Sequence, residues 1–407
     1  MLPDYDPSRP VLVLAPHFLL PARNGADVLI SGRWRAFSRN VPEVHVLGCR
    51  ELIVYRRGIL EQRSSFRNRM RTKSTSVLRT LAAGSHYLLE KFLTRPYTEQ
   101  AVRQLQDERY GTIVSSMLCT ADFYGRVRTR GDRLSLVETH NDDFSWYSDI
   151  ARETRNPLTR KAAQLSLNWT SEFFQRASQD HVYLHVTEKD QHAYVSHTPN
   201  HRSLVAPVGI DLTDDPPRHI DSDTTVRLLF VGSLSTGMNY DAISYFAERF
   251  YPALKKALHE TLDVRIAGSR PSRRVRMLCR KMGWTLYADI SDAQLEALYA
   301  EASFTLLPFR YATGAKLKVL ESLSYGIPFL GTSRIEGQMP PTIWPNLLSD
   351  DPDDWVRHVQ ATLRRRITPD QRQQIKEIAR PHSWNNIADI LHTSLLARSF
   401  EMPDAED

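Results

Sequence analysis

The sequence predicts an α/β protein built from two domains with parallel sheets, and three observations predict it. Short, wholly apolar runs recur with segments of helical length between them, which is the rhythm of βαβ units. That rhythm halts at 213–225, TDDPPRHIDSDTT, a linker rich in Pro, Asp and Thr, and restarts at Val226. The 407 residues suffice for two or three domains with cores of their own, and 41% hydrophobic with 25% charged residues is a globular mix rather than a disordered one.

In the first domain, 1–212, the run VLVLA (11–15) ended by Pro16 reads as a buried parallel strand. A loop with Asn24 and Gly25 and a helix to about Asn40 follow it. Further strands are expected at 44–48, 112–116, 134–139 and 181–187. In the second domain, 226–382, strands are expected at 226–232, 264–268, 304–309 and 328–332, with helices near 239–258, 271–282, 292–301 and 315–325. The segment from Ser383 to 400 reads as a further helix, and 401–407 as an acidic tail.

The charge balance, 53 Lys plus Arg against 47 Asp plus Glu, argues against a polycation that coats nucleic acid. Cys49, Cys119 and Cys279 have no disulfide or metal-ligand spacing. With no signal-like N-terminus and no apolar window of about 20 residues, a cytoplasmic protein is expected. From Arg56 to Arg79 eight cations stand against one acid, Glu61. That stretch reads as a solvated basic helix face, an amphipathic element at an anionic membrane or, less well, a nucleic-acid contact.

Chemistry concentrates at 308–337, PFRYATGAKLKVLESLSYGIPFLGTSRIEG. A strand ends at Pro308, a loop centred on Gly314 follows, and a helix starts near Lys316 with Glu321 inside it. Loop amides and a helix N-terminus suit an anion, and Lys316 and Lys318 add positive charge. Glu321 is a carboxylate able to accept hydrogen bonds from a diol. The same pattern is compatible with lysines that merely solubilise a helix start. Asp221-Ser-Asp223, Asp351-Pro-Asp353 and the His181/His185 pair match metal patterns only loosely, so no metal is expected. Walker and G-x-G-x-x-G loops are absent.

This segment closely resembles the C-terminal domain of glycosyltransferase family 4. Pro308, Arg310, Gly314, Lys316, Lys318, Val319, Leu320, Glu321, Gly326 and Pro328 stand in matching places. LLFVGSLSTGMNYDAISYF (228–246) is similar to the family's start of that domain, with Asn239, Asp241 and Ala242 in register. The first domain resembles the family more weakly, through APHFLLPARNGADVLISGR and ETHNDDF.

The resemblance implies the GT-B arrangement, two Rossmann-like domains with parallel sheets facing a central cleft, and a retaining, metal-independent glycosyl transfer from a nucleotide-diphosphate sugar. It assigns the donor to Gly232, Ser233, Asn239, Tyr287, Arg310, Thr313, Gly314, Ala315, Lys316, Lys318 and Glu321 in the second domain, with Gly25 contributed by the first. Glu321 would hold the ribose hydroxyls, Lys316 and Arg310 the diphosphate, and His140 the sugar, so that His140, Lys316 and Glu321 form the catalytic set. Two features depart from the family: Thr313 replaces a frequent acid, and the basic pair after the domain's first strand is missing from GSLSTGMN. The implied setting is cell-envelope or extracellular glycan synthesis at the inner face of the membrane, with a lipid-linked acceptor favoured by the basic stretch and the last helix crossing back to the first domain. A sugar-nucleotide epimerase and a catalytically silent donor-binding subunit are the alternatives.

Overall fold

The computed structural model describes all residues except 1–2, 18, 21, 23–24, 128–132, 141, 155, 199–200, 213–224, 311–316, 336–344, 366 and 399–407. The chain divides into two units, Met1–Val208 with Trp384–Asp407, and Gly209–Ser383.

The first unit holds β1 (Val11–Leu14), β2 (Val44–Leu47), β3 (Glu51–Arg56), β4 (Ile59–Ser65), β5 (Thr112–Ser116), β6 (Leu134–Glu138), β7 (Val182–His185) and β8 (Arg202–Val205). They form one sheet in the order β4-β3-β2-β1-β5-β6-β7-β8. From β2 through β1 to β8 every neighbour is parallel. The apolar runs of β1, β2, β5, β6 and β7 are buried at every position, because helices cover both faces of a parallel sheet.

Residues 56–79 correct the sequence reading, which treated them as one basic helical element. They contain instead the end of β3 and all of its antiparallel hairpin partner β4, which is exposed throughout, then a connection and the start of the helix Lys73–Ala83. Their charge is also less free than the composition suggests. Arg56 pairs with Glu43 and Glu61, Arg63 with Glu51, and Arg71 and Arg79 with Glu90. Three of these acids lie outside the stretch, which is why a local count missed them.

The helix Trp384–Leu396 packs in the first unit against the helix Gly25–Phe37. Gly32 makes that approach possible, since a Cβ there would lie 2.2 Å from the Trp384 ring.

The second unit holds β9 (Val226–Val231), β10 (Leu262–Gly268), β11 (Thr285–Ala288), β12 (Phe304–Leu307), β13 (Phe329–Gly331) and β14 (Leu347–Leu348), parallel, in the order β11-β10-β9-β12-β13-β14. The single helix expected at 239–258 is Gly237–Tyr245 and Tyr251–Leu258 joined by a π-type turn, Phe246–Phe250. Pro252, in the first turn of the later helix, cannot donate to the regular ladder, so the register changes before it. Phe250 stacks on Trp355 at 4.1 Å and anchors the turn in the core.

Two glycines meet at the C-terminal ends of β9 and β10. A Cβ on Gly268, where φ is +153°, would stand 1.7 Å from the carbonyl oxygen of Gly232. Gly268→Ala is expected to destabilise the protein by about 2 kcal/mol or more, read as a lowered melting temperature; an unchanged melting curve would contradict the close approach.

Buried histidines make the first unit acid-sensitive. His185 shares a 3.3 Å contact with His201, and burial pushes its pKa down to about 3; burial alone does the same to His86, packed against Tyr147 and Trp169. Both are neutral in the folded chain at pH 7, while the unfolded chain takes up their protons near pH 6.5. Stability is therefore fully present above that value and is expected to fall between about pH 6.5 and 3, by about 1.4 kcal/mol per pH unit for each histidine. Denaturant unfolding across this range checks the slope; a flat profile to pH 4 would refute it.

Candidate functional site

In the second unit the site begins at Gly232, the residue after β9. A Cβ there would lie 2.8 Å from both Asn239 Nδ2 and Lys318 Cε and 3.1 Å from Lys318 Nζ, so the glycine makes room for an amide and an ammonium at the strand end. Asn239 is buried and its Nδ2 donates to the Ser233 carbonyl at 2.8 Å, while Thr236 caps the helix that carries it. The two contacts fix the loop GSLST against the sheet.

Lys318 and Glu321 lie one turn apart on the helix Leu317–Ser324 and stabilise each other's charge. Burial raises the Glu321 pKa, opposed by Lys318 and by the Tyr299 hydroxyl, which donates to Oε2 at 3.3 Å. The Lys318 pKa is lowered by burial and raised by Glu321. Tyr299 is itself held by stacking on Tyr325 at 4.3 Å. The result is a carboxylate, one oxygen of which has no hydrogen-bond partner among the described residues, beside a cation that borders Gly232.

Arg310 is placed differently from Lys318. Its guanidinium makes two bonds to Asp241, at 2.7 and 3.2 Å, and lies over the Tyr245 ring at 4.8 Å. Its charge is thus compensated by a neighbour within the same unit. Tyr287, one residue before the end of β11, is half-buried, and Asp289, at φ +52°, accepts from the Arg270 backbone amide at 2.7 Å. Thr313, Gly314, Ala315 and Lys316 lie outside the described residues.

In the first unit His140 follows β6 and its Nε2 meets Ser116 Oγ at 2.8 Å. Burial, then His17 and Arg33, lowers its pKa well below the usual value, so the ring is neutral at pH 7. His17 lies 5.6 Å from it ring to ring and 3.4 Å from Asp27. Gly25 opens the helix that carries Asp27 and Arg33. Arg33 and Glu138 form a fully buried ion pair, and the guanidinium also donates to the carbonyls of Ala206 and Pro207. Glu138 Oε2, 4.0 Å from His140 Nε2, has no hydrogen-bond partner among the described residues, nor have His140 Nδ1 and His17 Nε2. Buried polar atoms left open in one cluster are suited to the hydroxyls of a polar ligand.

Sequence reasoning singled out His140 and missed its surroundings. Arg33 occupies a core-facing helix position and Glu138 closes the apolar run LSLV; a charge in an apolar pattern was the available signal. Asp143 was also passed over: burial, reinforced by Asp142 and Asp190 against the Tyr194 hydroxyl, pushes its pKa up to about 7. Tyr299 and Tyr325 had no signal, and Asp241, in register with the family, gave none of its pairing with Arg310, because the partners are distant in sequence. Among the described residues no cluster of His, Cys, Asp or Glu is placed to hold a metal, and no helix is long and apolar enough to cross a membrane.

Residues 225–365 match the family model described as glycosyl transferases group 1. The fold is that of sucrose-phosphate synthase from Thermosynechococcus elongatus, with TM-score 0.64 at 14% identity over 96% of this chain and 99% of that one. Starch synthase IV from Arabidopsis thaliana, bound to ADP and acarbose, gives 0.60 at 11% over 96% and 99%. Anabaena HepE in complex with UDP gives 0.57 at 11% over 95% and 99%. No curated protein matches the chain.

Proposed function

We propose that this chain, whose residues 225–365 match the glycosyl transferases group 1 model and whose fold is GT-B, transfers a sugar from a nucleotide-diphosphate donor to an acceptor hydroxyl with retention at the anomeric carbon. The observation that carries this reading is Glu321 beside Lys318, next to the glycine-lined end of β9. In it the open Glu321 oxygen accepts from the ribose diol, and Lys318 with the amides of the loop after Gly232 takes the diphosphate. Because Arg310 is engaged by Asp241, Lys318 carries more of that task than the resemblance alone implied. By the family resemblance, Lys316, Thr313, Gly314 and Ala315 are assigned to the same donor.

Loss of the diphosphate builds negative charge on the leaving oxygen and positive charge on the sugar ring. A fixed ammonium and fixed amide dipoles stabilise the first in the transition state, without a metal. The acceptor hydroxyl attacks from the face the diphosphate leaves, forming the new C–O bond as the C–O bond to the diphosphate breaks and passing its proton to the departing phosphate oxygen. Neutral His140, held by Ser116, is suited to a sugar hydroxyl and not to charge neutralisation. In this reading the first unit serves the acceptor, a glycan of the cell envelope or exterior carried on a lipid, and the protein works in the cytoplasm. Arg57, Arg67, Arg69 and Lys73 supply the remaining basic contact of residues 56–79 with an anionic membrane surface.

HepE and starch synthase IV hold UDP and ADP, so these nucleotides head the test. Thermal melts with UDP, GDP, ADP and their sugar conjugates are expected to show one nucleotide raising the melting temperature, by the equivalent of about 2.7 kcal/mol at a hundred times its dissociation constant. No stabilisation by any of them would remove the reading. Binding without turnover would favour the silent subunit, and release of free nucleotide diphosphate without an acceptor would favour the epimerase.

A further inference from the structure

The densest free positive charge in the described chain lies in the second unit, on the helix Arg273–Met282, RRVRMLCRKM. Its apolar side, Val275 and Cys279, is buried in the core of that unit, with Leu278 and Met282 packed against it. At 100° per residue the opposite side places Met277 at its centre, flanked by Arg273, Arg274, Arg276, Arg280 and Lys281. All five cations are exposed and Met277 is 59% exposed, the reverse of what a thioether in water favours. No ion pair joins any of the five to a described acid, although Arg274 leans over the Tyr240 ring at 5.9 Å. The contrast with residues 56–79 is direct, since there Glu43, Glu51, Glu61 and Glu90 neutralise half of the cations.

We infer that this helix is a docking surface for an anionic lipid bilayer, lying along the headgroups with Met277 inserted among them. A ring of cations around one exposed apolar side chain is complementary to a surface that is negative outside and apolar beneath. A polyanion such as a nucleic acid would use the arginines and gain nothing from Met277. The inference goes beyond the transferase reading and does not rest on it, because neither the donor site nor any acceptor enters the argument.

The experiment is co-sedimentation of the full chain with vesicles of equal parts phosphatidylglycerol and phosphatidylcholine, at several salt concentrations, beside vesicles of phosphatidylcholine alone. Binding is expected to the first only, and to weaken as salt rises. The combined variant Arg273→Gln, Arg276→Gln, Arg280→Gln, Lys281→Gln is expected to lose at least about a hundredfold in partitioning, each cation near such a surface being worth about fivefold. Met277→Ser is expected to weaken binding with every charge retained. Arg67→Gln with Arg69→Gln and Lys73→Gln is the control, expected to lose less than the helix variant. Melting temperatures verify that each variant folds; should the fourfold variant not fold, Met277→Ser and Arg276→Gln with Arg280→Gln carry the test. Equal binding by the helix variants, equal binding to neutral vesicles, or duplex oligonucleotide that binds tighter than vesicles and is indifferent to Met277→Ser would each overturn the inference.

Discussion

Arg33→Met is expected to destabilise the first unit by about 3–5 kcal/mol, enough to abolish or halve the stability of an ordinary domain. Both members of the Arg33–Glu138 pair have no exposed surface, so removal of the guanidinium leaves a carboxylate in the interior with no compensating charge. The carbonyls of Ala206 and Pro207 lose a donor at the same time. Methionine fills much of the volume, which separates the electrostatic loss from a cavity. The double variant Arg33→Met, Glu138→Leu is expected to recover most of the loss, because two apolar groups of similar volume carry no buried charge. Urea unfolding of the three variants measures the coupling. A single variant that loses less than about 1 kcal/mol would mean that water reaches the pair, contrary to the packing.

Glu321→Ala is expected to cost about a hundredfold or more in donor affinity and in kcat/KM. The carboxylate accepts hydrogen bonds in the proposed site, and each such bond to a charged group is worth about 1.5–3 kcal/mol. Its removal also leaves Lys318 without its stabilising neighbour, which favours the neutral amine and weakens the hold on the diphosphate. Glu321→Gln keeps the shape and is expected to fall between the two. Because burial raises the Glu321 pKa, the fraction able to accept from both hydroxyls declines on acidification at a higher pH than for an exposed glutamate. Donor affinity should therefore weaken on the acid side in the wild type and show no such limb in Glu321→Gln. Titration calorimetry with the stabilising nucleotide sugar reads both effects; full affinity in Glu321→Ala would remove the site assignment.

The sequence by itself determined most of the parallel strands and the helix that carries Lys318 and Glu321. Those features are local: an apolar run between turn residues needs burial on both faces whatever its neighbours are, and a Gly-containing loop before a helix leaves backbone donors open. The tertiary structure alone decided which charges are free. Arg310 is tied to Asp241 and Arg33 to Glu138 across 69 and 105 positions, and the arginines of 56–79 to Glu43, Glu51 and Glu90, acids that lie outside that stretch. It also decided that β4 forms an exposed antiparallel edge on β3 where charge composition suggested a helix, because strand pairing depends on the partner strand as much as on the residues themselves. Periodicity could place the helix 273–282, but its unpaired cations were visible only once every acid of the described chain had a position. Coulomb energy depends on distance in space, and the order of residues along the chain does not contain it.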